Sequence, residues 1–99
     1  MMALTDLTSS DAVLRAVEEY DEIGQDAFLT KYGFGRAREF FLEHNGKLYD
    51  SKAIVGAAHG YQFPHEGPLG ARSFSGGEAT VQRKLEDLGF TVRVIDKRH

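Results

Sequence analysis

Two stretches near the start of the chain space their apolar residues three and four positions apart, as an amphipathic helix does. The first runs from a cap at Ser9 or Ser10 to Ile23, and Gly24 is placed to stop it. The second covers about residues 25–32, where Gly33 follows its last apolar position. The first third of the chain therefore predicts two helices joined by a glycine.

Two further helices are predicted, each starting at a serine. The segment "SKAIVGAAHGY" is predicted to form one of them, which ends at Gly60, and its small residues allow close packing. Ser75 caps the other, with Glu78 at the capping-box position and Gly89 as its stop. Between them, residues 61–74 form a long loop with both prolines, and long loops in compact domains are often functional.

Three short runs show strand character instead. Asn45 and Gly46 are a strong hairpin signal because both central turn positions need positive φ, so residues 38–43 and 47–50 are predicted to pair. "FTVRVI" alternates apolar and polar residues as a third strand. The order ααββααβ predicts an α+β fold, with a small three-stranded antiparallel sheet and about four helices, mainly on one side.

Length and composition limit the chain to one domain with a modest core, since it has 99 residues of which 41% are hydrophobic. We expect residues 1–8 to be disordered, 9–95 to form the domain and 96–99 to be a polar tail, the whole being the N-terminal module of a larger protein. The chain has no cysteine, which excludes disulfides and thiolate metal sites. It shows no signal peptide or membrane-spanning run, so a cytoplasmic protein is expected.

Charge is divided unevenly along the chain. Residues 1–26 hold seven acids and one base, a net charge of −6, whereas residues 27–99 hold eleven bases and eight acids, a net charge of +3. The total of −3 argues against a nucleic-acid partner, but local field matters more than the total. The acidic first helix is equally consistent with a solvated face and with a docking surface.

Lys52 lies in the first turn of the third predicted helix, where the helix dipole disfavours a cation. A phosphate bound to the free N–H groups of that helix start would remove the conflict. An internal ion pair with Asp50 or Glu43 would remove it equally well. Taken alone, the helix start slightly favours the internal pair.

A second predicted helix start has the same character. Residues 75–77, "SGG", follow Arg72, and glycines let a phosphate approach the backbone closely, although they also simply permit a tight turn. The two helix starts together, with Arg36 and Arg38 near in sequence, favour phosphate binding.

Catalytic and metal sites find less support. His59, His65 and Glu66 could hold a metal, but their spacing matches no standard pattern. No local signature links a histidine to a serine or aspartate, and neither GxxxxGK[ST] nor GxGxxG occurs. A small hydrolase using His59 or His65 is the third hypothesis, and no cofactor is expected.

Two blocks, "NGKLYDSKAIVGAAHG" and "FSGGEATVQRKLEDLGFTV", resemble a small domain at the N-terminus of actinobacterial modification-dependent (type IV) restriction endonucleases, the McrA-like HNH nucleases and some McrBC-like systems. The resemblance covers roughly residues 10–95. It implies a phage-defence module that binds double-stranded DNA, often with a modified base such as 5-methylcytosine. No HNH segment is present, so the chain is expected to bind and not to cut, with a nuclease or motor in another domain or subunit.

The leading hypothesis is therefore a non-catalytic DNA-binding module. The loop aromatics Tyr61, Phe63 and Phe74 are expected to sense a groove or a flipped base. The alternative is a docking or oligomerisation head that does not bind nucleic acid. The predicted DNA contacts are Arg36, Arg38, Lys47, Tyr49, Ser51, Lys52, Arg72, Ser73, Phe74, Ser75, Gly76 and Gly77.

Overall fold

The computed structural model describes residues 4–74 and 77–95, and it confirms the α+β class and the order ααββααβ. Two short 3₁₀ turns supplement the predicted elements. The elements are a 3₁₀ turn (Leu4–Asp6), α1 (Ser10–Ile23), α2 (Gln25–Tyr32), β1 (Phe40–His44), β2 (Lys47–Asp50), α3 (Ser51–Gln62), a second 3₁₀ turn (Ala71–Ser73), α4 (Gly77–Asp87) and β3 (Thr91–Val94).

The three strands form an antiparallel sheet in the order β2-β1-β3. Asn45 and Gly46 both have positive φ and close the predicted hairpin. The first strand begins at Phe40 and not at residue 38. One reason is that the backbone N–H of Ala37 donates to the Asp50 side chain, so this segment runs toward α3 before it joins the ladder.

The core lies mainly between α1 and α3. Helix α3 does not end at Gly60 as predicted but continues to Gln62, where the N–H of Phe63 donates to the carbonyl of His59. Gly60 serves packing instead, because a Cβ there would lie 2.8 Å from the backbone nitrogen of Pro68. Glycine inside a helix is compatible with helical φ, so its presence alone does not mark an end.

Residues 4–8, part of the segment expected to be disordered, are packed on the domain in the structure. Leu4 and Leu7 are buried in the core, and the backbone N–H groups of Thr8 and Ser9 both donate to the side chain of Gln62. Two leucines three positions apart gain enough from burial to hold the segment on the domain. Residues 1–3 and the predicted tail, 96–99, lie outside the described residues.

The predicted loop at 61–74 is shorter and more structured than expected. Its first two residues belong to α3, residues 64–66 make a turn, and its end contains the second 3₁₀ turn. Leu69 is buried, and its N–H donates to the carbonyl of Gly56 within α3. The loop is thus fastened along α3, and the following residues arrive near the start of that helix.

Candidate nucleic-acid interface

A cavity of about 240 Å³ opens at the N-terminus of α3. Its lining comes from the segment after α2, from the start of α3 with Asp50, and from Ala71 and Val81, and it includes the predicted DNA contacts Arg36, Ser51 and Lys52. The lining residues are Phe34, Gly35, Arg36, Ala37, Phe40, Asp50, Ser51, Lys52, Ala53, Ala71 and Val81. The fold thereby brings the start of α3 and the segment that contains Arg36 to one place.

The apolar side of the cavity is held firmly by the end of α2. Gly33 ends α2 in the left-handed conformation, and the N–H of Phe34 donates to the carbonyl of Leu29. This turn sends the Phe34 ring into the core, where the ring of half-buried Phe74 packs edge-on, with a centroid separation of 6.0 Å.

Asp50, 2% exposed, is one of the residues that line the cavity. Although it occupies the cap position of α3, its side chain makes no capping bond. Its Oδ1 instead accepts hydrogen bonds from the Tyr20 hydroxyl (2.6 Å) and the Gln25 amide (3.0 Å), while Oδ2 accepts from the N–H of Ala37 (2.7 Å). Burial and the bond to Asp50 both raise the pKa of Tyr20, so the phenol stays a donor.

Ser51 is the first residue of α3 and is 2% exposed. Its Oγ finds no hydrogen-bond partner within the described part of the chain. Buried hydroxyls are nearly always bonded, and one left unbonded costs about 1–3 kcal/mol. An unused hydroxyl at a helix start, in the lining of a cavity, indicates a place where a ligand group would be bound.

Two basic residues, Arg36 and Lys52, line the cavity. Lys52 is half-buried and, within the described residues, pairs with no acid, so the predicted alternative of a pair with Asp50 or Glu43 is wrong. Arg36 bonds exposed Asp26 at 2.6 Å, which raises its pKa and keeps it charged. Arg38 and Arg72 are exposed and directly follow the lining residues Ala37 and Ala71.

Lys47 and Tyr49 do not join this group. Tyr49, also a predicted DNA contact, is 1% exposed, and its hydroxyl donates to Asp21, so its side chain is part of the core. Lys47 starts β2, at the opposite end of that strand from Asp50, and donates to Asp21 at 2.7 Å. This bond lowers the pKa of Asp21, and it leaves Lys47 outside the cavity lining.

The predicted contacts after Arg72 are described only in part. Ser75 and Gly76 lie outside the described residues, and Gly77 is the first residue of α4. Ser73 ends the second 3₁₀ turn, but its side chain is not described. Of this group, Phe74 has a described side-chain contact, the packing on Phe34 given above.

The other predicted loop aromatics are occupied within the domain. The hydroxyl of Tyr61 donates to Glu19, and the ring of Phe63 packs against His59 with a centroid separation of 5.0 Å. His59 is itself buried, with Nδ1 2.9 Å from the carbonyl oxygen of Gly67. Within the described residues, no three His, Asp or Glu side chains group as metal ligands, and no helix is long and apolar enough to cross a membrane.

Sequence reasoning missed the residues that shape the cavity. Phe34, Ala37, Phe40, Ala71 and Val81 line it but carry no charge or motif that marks a binding site. The sequence predicts Asp50 as a possible partner for Lys52, whereas the structure uses its carboxylate as a buried acceptor. Nothing in the linear pattern shows which helix start faces which loop.

Comparison with known proteins identifies the family of the chain. Residues 5–94 match the model of a domain family described as "ScoMcrA-like, N-terminal head domain". The chain belongs to this head-domain family. The predicted relation to McrA-like restriction endonucleases is thereby confirmed. No curated protein matches the chain.

A solved structure is also similar to this head domain. It is described as the "Structure of the Type IV phosphorothioation-dependent restriction endonuclease ScoMcrA", with 34% sequence identity and a TM-score of 0.67. The match covers 92% of this chain but 14% of the endonuclease. The head domain is thus similar to a small part of a much longer protein.

Proposed function

We propose that this head domain is a DNA-binding module of a restriction system that positions a nuclease or motor carried elsewhere and does not itself cut. The observation that carries the proposal is the cavity at the start of α3, which brings Arg36 together with Ser51 and Lys52. Family membership supplies the restriction context.

The basic residues in the cavity lining, and those that follow lining residues in sequence, suit the DNA backbone. Arginine and lysine contacts to phosphate provide affinity and orientation without reading sequence. Lys52 is unpaired within the described residues, and the Arg36–Asp26 bond joins two exposed groups and contributes little stability. Arg36 can therefore exchange Asp26 for a phosphate, while Arg38 and Arg72 extend the contact on either side.

Recognition of a modified DNA is the finer part of the proposal. The resemblance of this chain to modification-dependent endonucleases favours a base modification such as 5-methylcytosine, whereas the similar endonuclease ScoMcrA is phosphorothioation-dependent. A partly apolar cavity beside phosphate-binding residues is the kind of site where an added methyl group would gain contact area.

A titration with three duplexes tests the proposal: unmodified, cytosine-methylated and phosphorothioated DNA of one sequence, each at two salt concentrations. Affinity should fall steeply with salt because bound phosphates release counterions. Lys52→Ala should weaken all three complexes by a similar factor and reduce the salt slope by about 1, the change expected for one lost phosphate contact.

Lys31→Ala is the matched control, because Lys31 pairs with Glu19 and does not line the cavity. It should leave both affinity and salt slope unchanged. Unaltered affinity in a folded Lys52→Ala variant would contradict this assignment of contacts. Absence of binding to any duplex at low salt, with self-association in sedimentation, would instead favour the docking head.

A further inference from the structure

The lining of the cavity at the start of α3 is unusual for a phosphate site alone. Much of it is apolar, from Phe34, Phe40 and Val81 together with alanines. A phosphate is strongly hydrated and gains nothing from such surfaces, whereas a nucleobase stacks on aromatic rings. The volume of about 240 Å³ is below the roughly 300–1,000 Å³ of pockets for drug-sized ligands, so a single heterocycle is the appropriate size.

One lining residue of the cavity also disfavours an anion. Asp50 presents a carboxylate there, and like charges repel strongly where water is excluded. Oδ1 already accepts two hydrogen bonds and Oδ2 one, which leaves acceptor capacity on Oδ2, since a carboxylate offers about four sites. Asp50 can therefore accept from a neutral donor such as an exocyclic amino group.

Ser51 supplies a complementary group beside Asp50. Its buried Oγ has no partner among the described residues, and a hydroxyl can donate to a ring nitrogen. In cytosine and adenine, an acceptor nitrogen lies next to the amino group. In thymine, the corresponding positions carry a carbonyl oxygen and an N–H, so the carbonyl would face the Asp50 carboxylate.

We infer that this cavity binds an unstacked, amino-bearing nucleobase, cytosine or adenine, with Asp50 accepting from the amino group and Ser51 donating to the neighbouring ring nitrogen. Phe34 and Phe40 supply the apolar surface against the ring. Lys52 and Arg36 in the lining hold the phosphates on either side of the base. The inference rests on the proposed function and deepens it by assigning a ligand to the cavity.

Two measurements test this assignment, and the first requires no duplex binding. In ¹H–¹⁵N spectra of the 99-residue chain, deoxycytidine and deoxyadenosine should shift the amide signals of Ala37 and residues 51–53, and thymidine should not. The second compares duplexes that carry one bulged cytosine or one bulged thymine. The cytosine bulge should bind about tenfold more tightly, the discrimination expected of a paired set of base contacts.

Ser51→Ala sharpens the second measurement. The Ser51 hydroxyl has no internal partner among the described residues, so its removal should not lower the melting temperature. It should, however, narrow the ratio of the affinities for the cytosine and thymine bulges. Ser10→Ala is the matched control, because the Ser10 hydroxyl donates to the carbonyl of Leu88. The Ser10→Ala variant should have a lower melting temperature and an unchanged ratio of the affinities for the cytosine and thymine bulges.

The outcomes separate this inference from the proposed function. Equal affinity for the two bulges, with both duplexes bound, would overturn the base assignment and leave DNA binding intact. Failure to bind any duplex would overturn the proposed function. The nucleoside spectra test the ligand of the cavity independently of duplex binding. Equal effects of deoxycytidine and thymidine, or none from either, would overturn the base assignment.

Discussion

At the scale of single residues, Glu19 differs from the solvated acid that the sequence allowed on the first helix, because its side chain accepts hydrogen bonds from three other side chains. It accepts hydrogen bonds from Lys31, from the Tyr32 hydroxyl at 2.5 Å and from the Tyr61 hydroxyl at 2.9 Å. Burial alone would raise the pKa of Glu19, but these three donors lower it below its usual value. Burial together with the bond to Glu19 raises the pKa of Tyr61 to about 12.

Glu19→Gln should lower the free energy of unfolding by about 2 kcal/mol at neutral pH, because hydrogen bonds to a charged acceptor contribute about 1.5–3 kcal/mol. A lowered native pKa stabilises the fold above the unfolded value, taken as 4.5, and this contribution is lost as the pH falls through the native pKa. The gap between variant and wild type should therefore be constant at pH 6–7 and shrink below about pH 4.5.

Urea denaturation at several pH values measures this difference. Glu18→Gln is the matched control, since Glu18 is exposed on the same helix, and it should change stability little. A gap that widens as the pH falls below 4 would contradict the assigned role of Glu19.

At the scale of elements, α3 is a helix whose small residues allow close approach on two sides. These residues predicted tight packing, and the structure locates that packing at two glycines. A Cβ on Gly56 would lie 2.5 Å from the carbonyl oxygen of Leu69 and 2.9 Å from the ring of Phe34. Both contacts involve groups that also fix the cavity, so the packing of α3 and the shape of the site are linked.

Gly56→Ala should destabilise the domain by about 1–3 kcal/mol, because an added methyl group must displace backbone in a packed core. A shift of Phe34 should also weaken deoxycytidine binding at the cavity. Thermal unfolding and the nucleoside titration measure the two effects. Gly70→Ala is the control, because a Cβ at Gly70 would lie in open space. The Gly70→Ala protein should unfold at nearly the wild-type temperature.

At the scale of the whole molecule, the N-terminal segment ties together elements that are far apart in sequence. The side chain of Gln62, at the end of α3, accepts from the N–H groups of Thr8 and Ser9 and donates to the Thr8 hydroxyl. Lys84 of α4 donates to the carbonyl of Thr5. The segment therefore belongs to the cooperative unit.

Leu7→Ala tests this cooperation. Leu7 is completely buried, so truncation should lower the free energy of unfolding by about 2–5 kcal/mol. Unfolding should remain a single transition, with its midpoint at a lower denaturant concentration. Chemical denaturation followed by circular dichroism measures it. Thr5→Ala, at an exposed position of the same segment, should have little effect; if Leu7→Ala behaved likewise, the segment would not belong to the core.

The sequence by itself determined the local structure of this protein. Apolar spacing identified α1 and α2, and Asn45-Gly46 placed the hairpin, because helix periodicity and positive φ are properties of neighbouring residues. Motif resemblance identified the family. The sequence showed that Lys52 is a cation at an unfavourable position in a helix dipole, but not whether an internal acid or a bound anion compensates for it.

Only the tertiary structure decided which of the predicted site residues are buried and which partners they bind. Folding buried Tyr49 and paired Lys47 with Asp21. It also turned Asp50 away from capping and left the Ser51 hydroxyl unpartnered within the described chain. These outcomes depend on contacts between residues far apart in sequence, and no local pattern encodes which residues will meet. The cavity itself, lined by Ala71 and Val81 as well as by the start of α3, exists only once α4 and the preceding turn pack on α3.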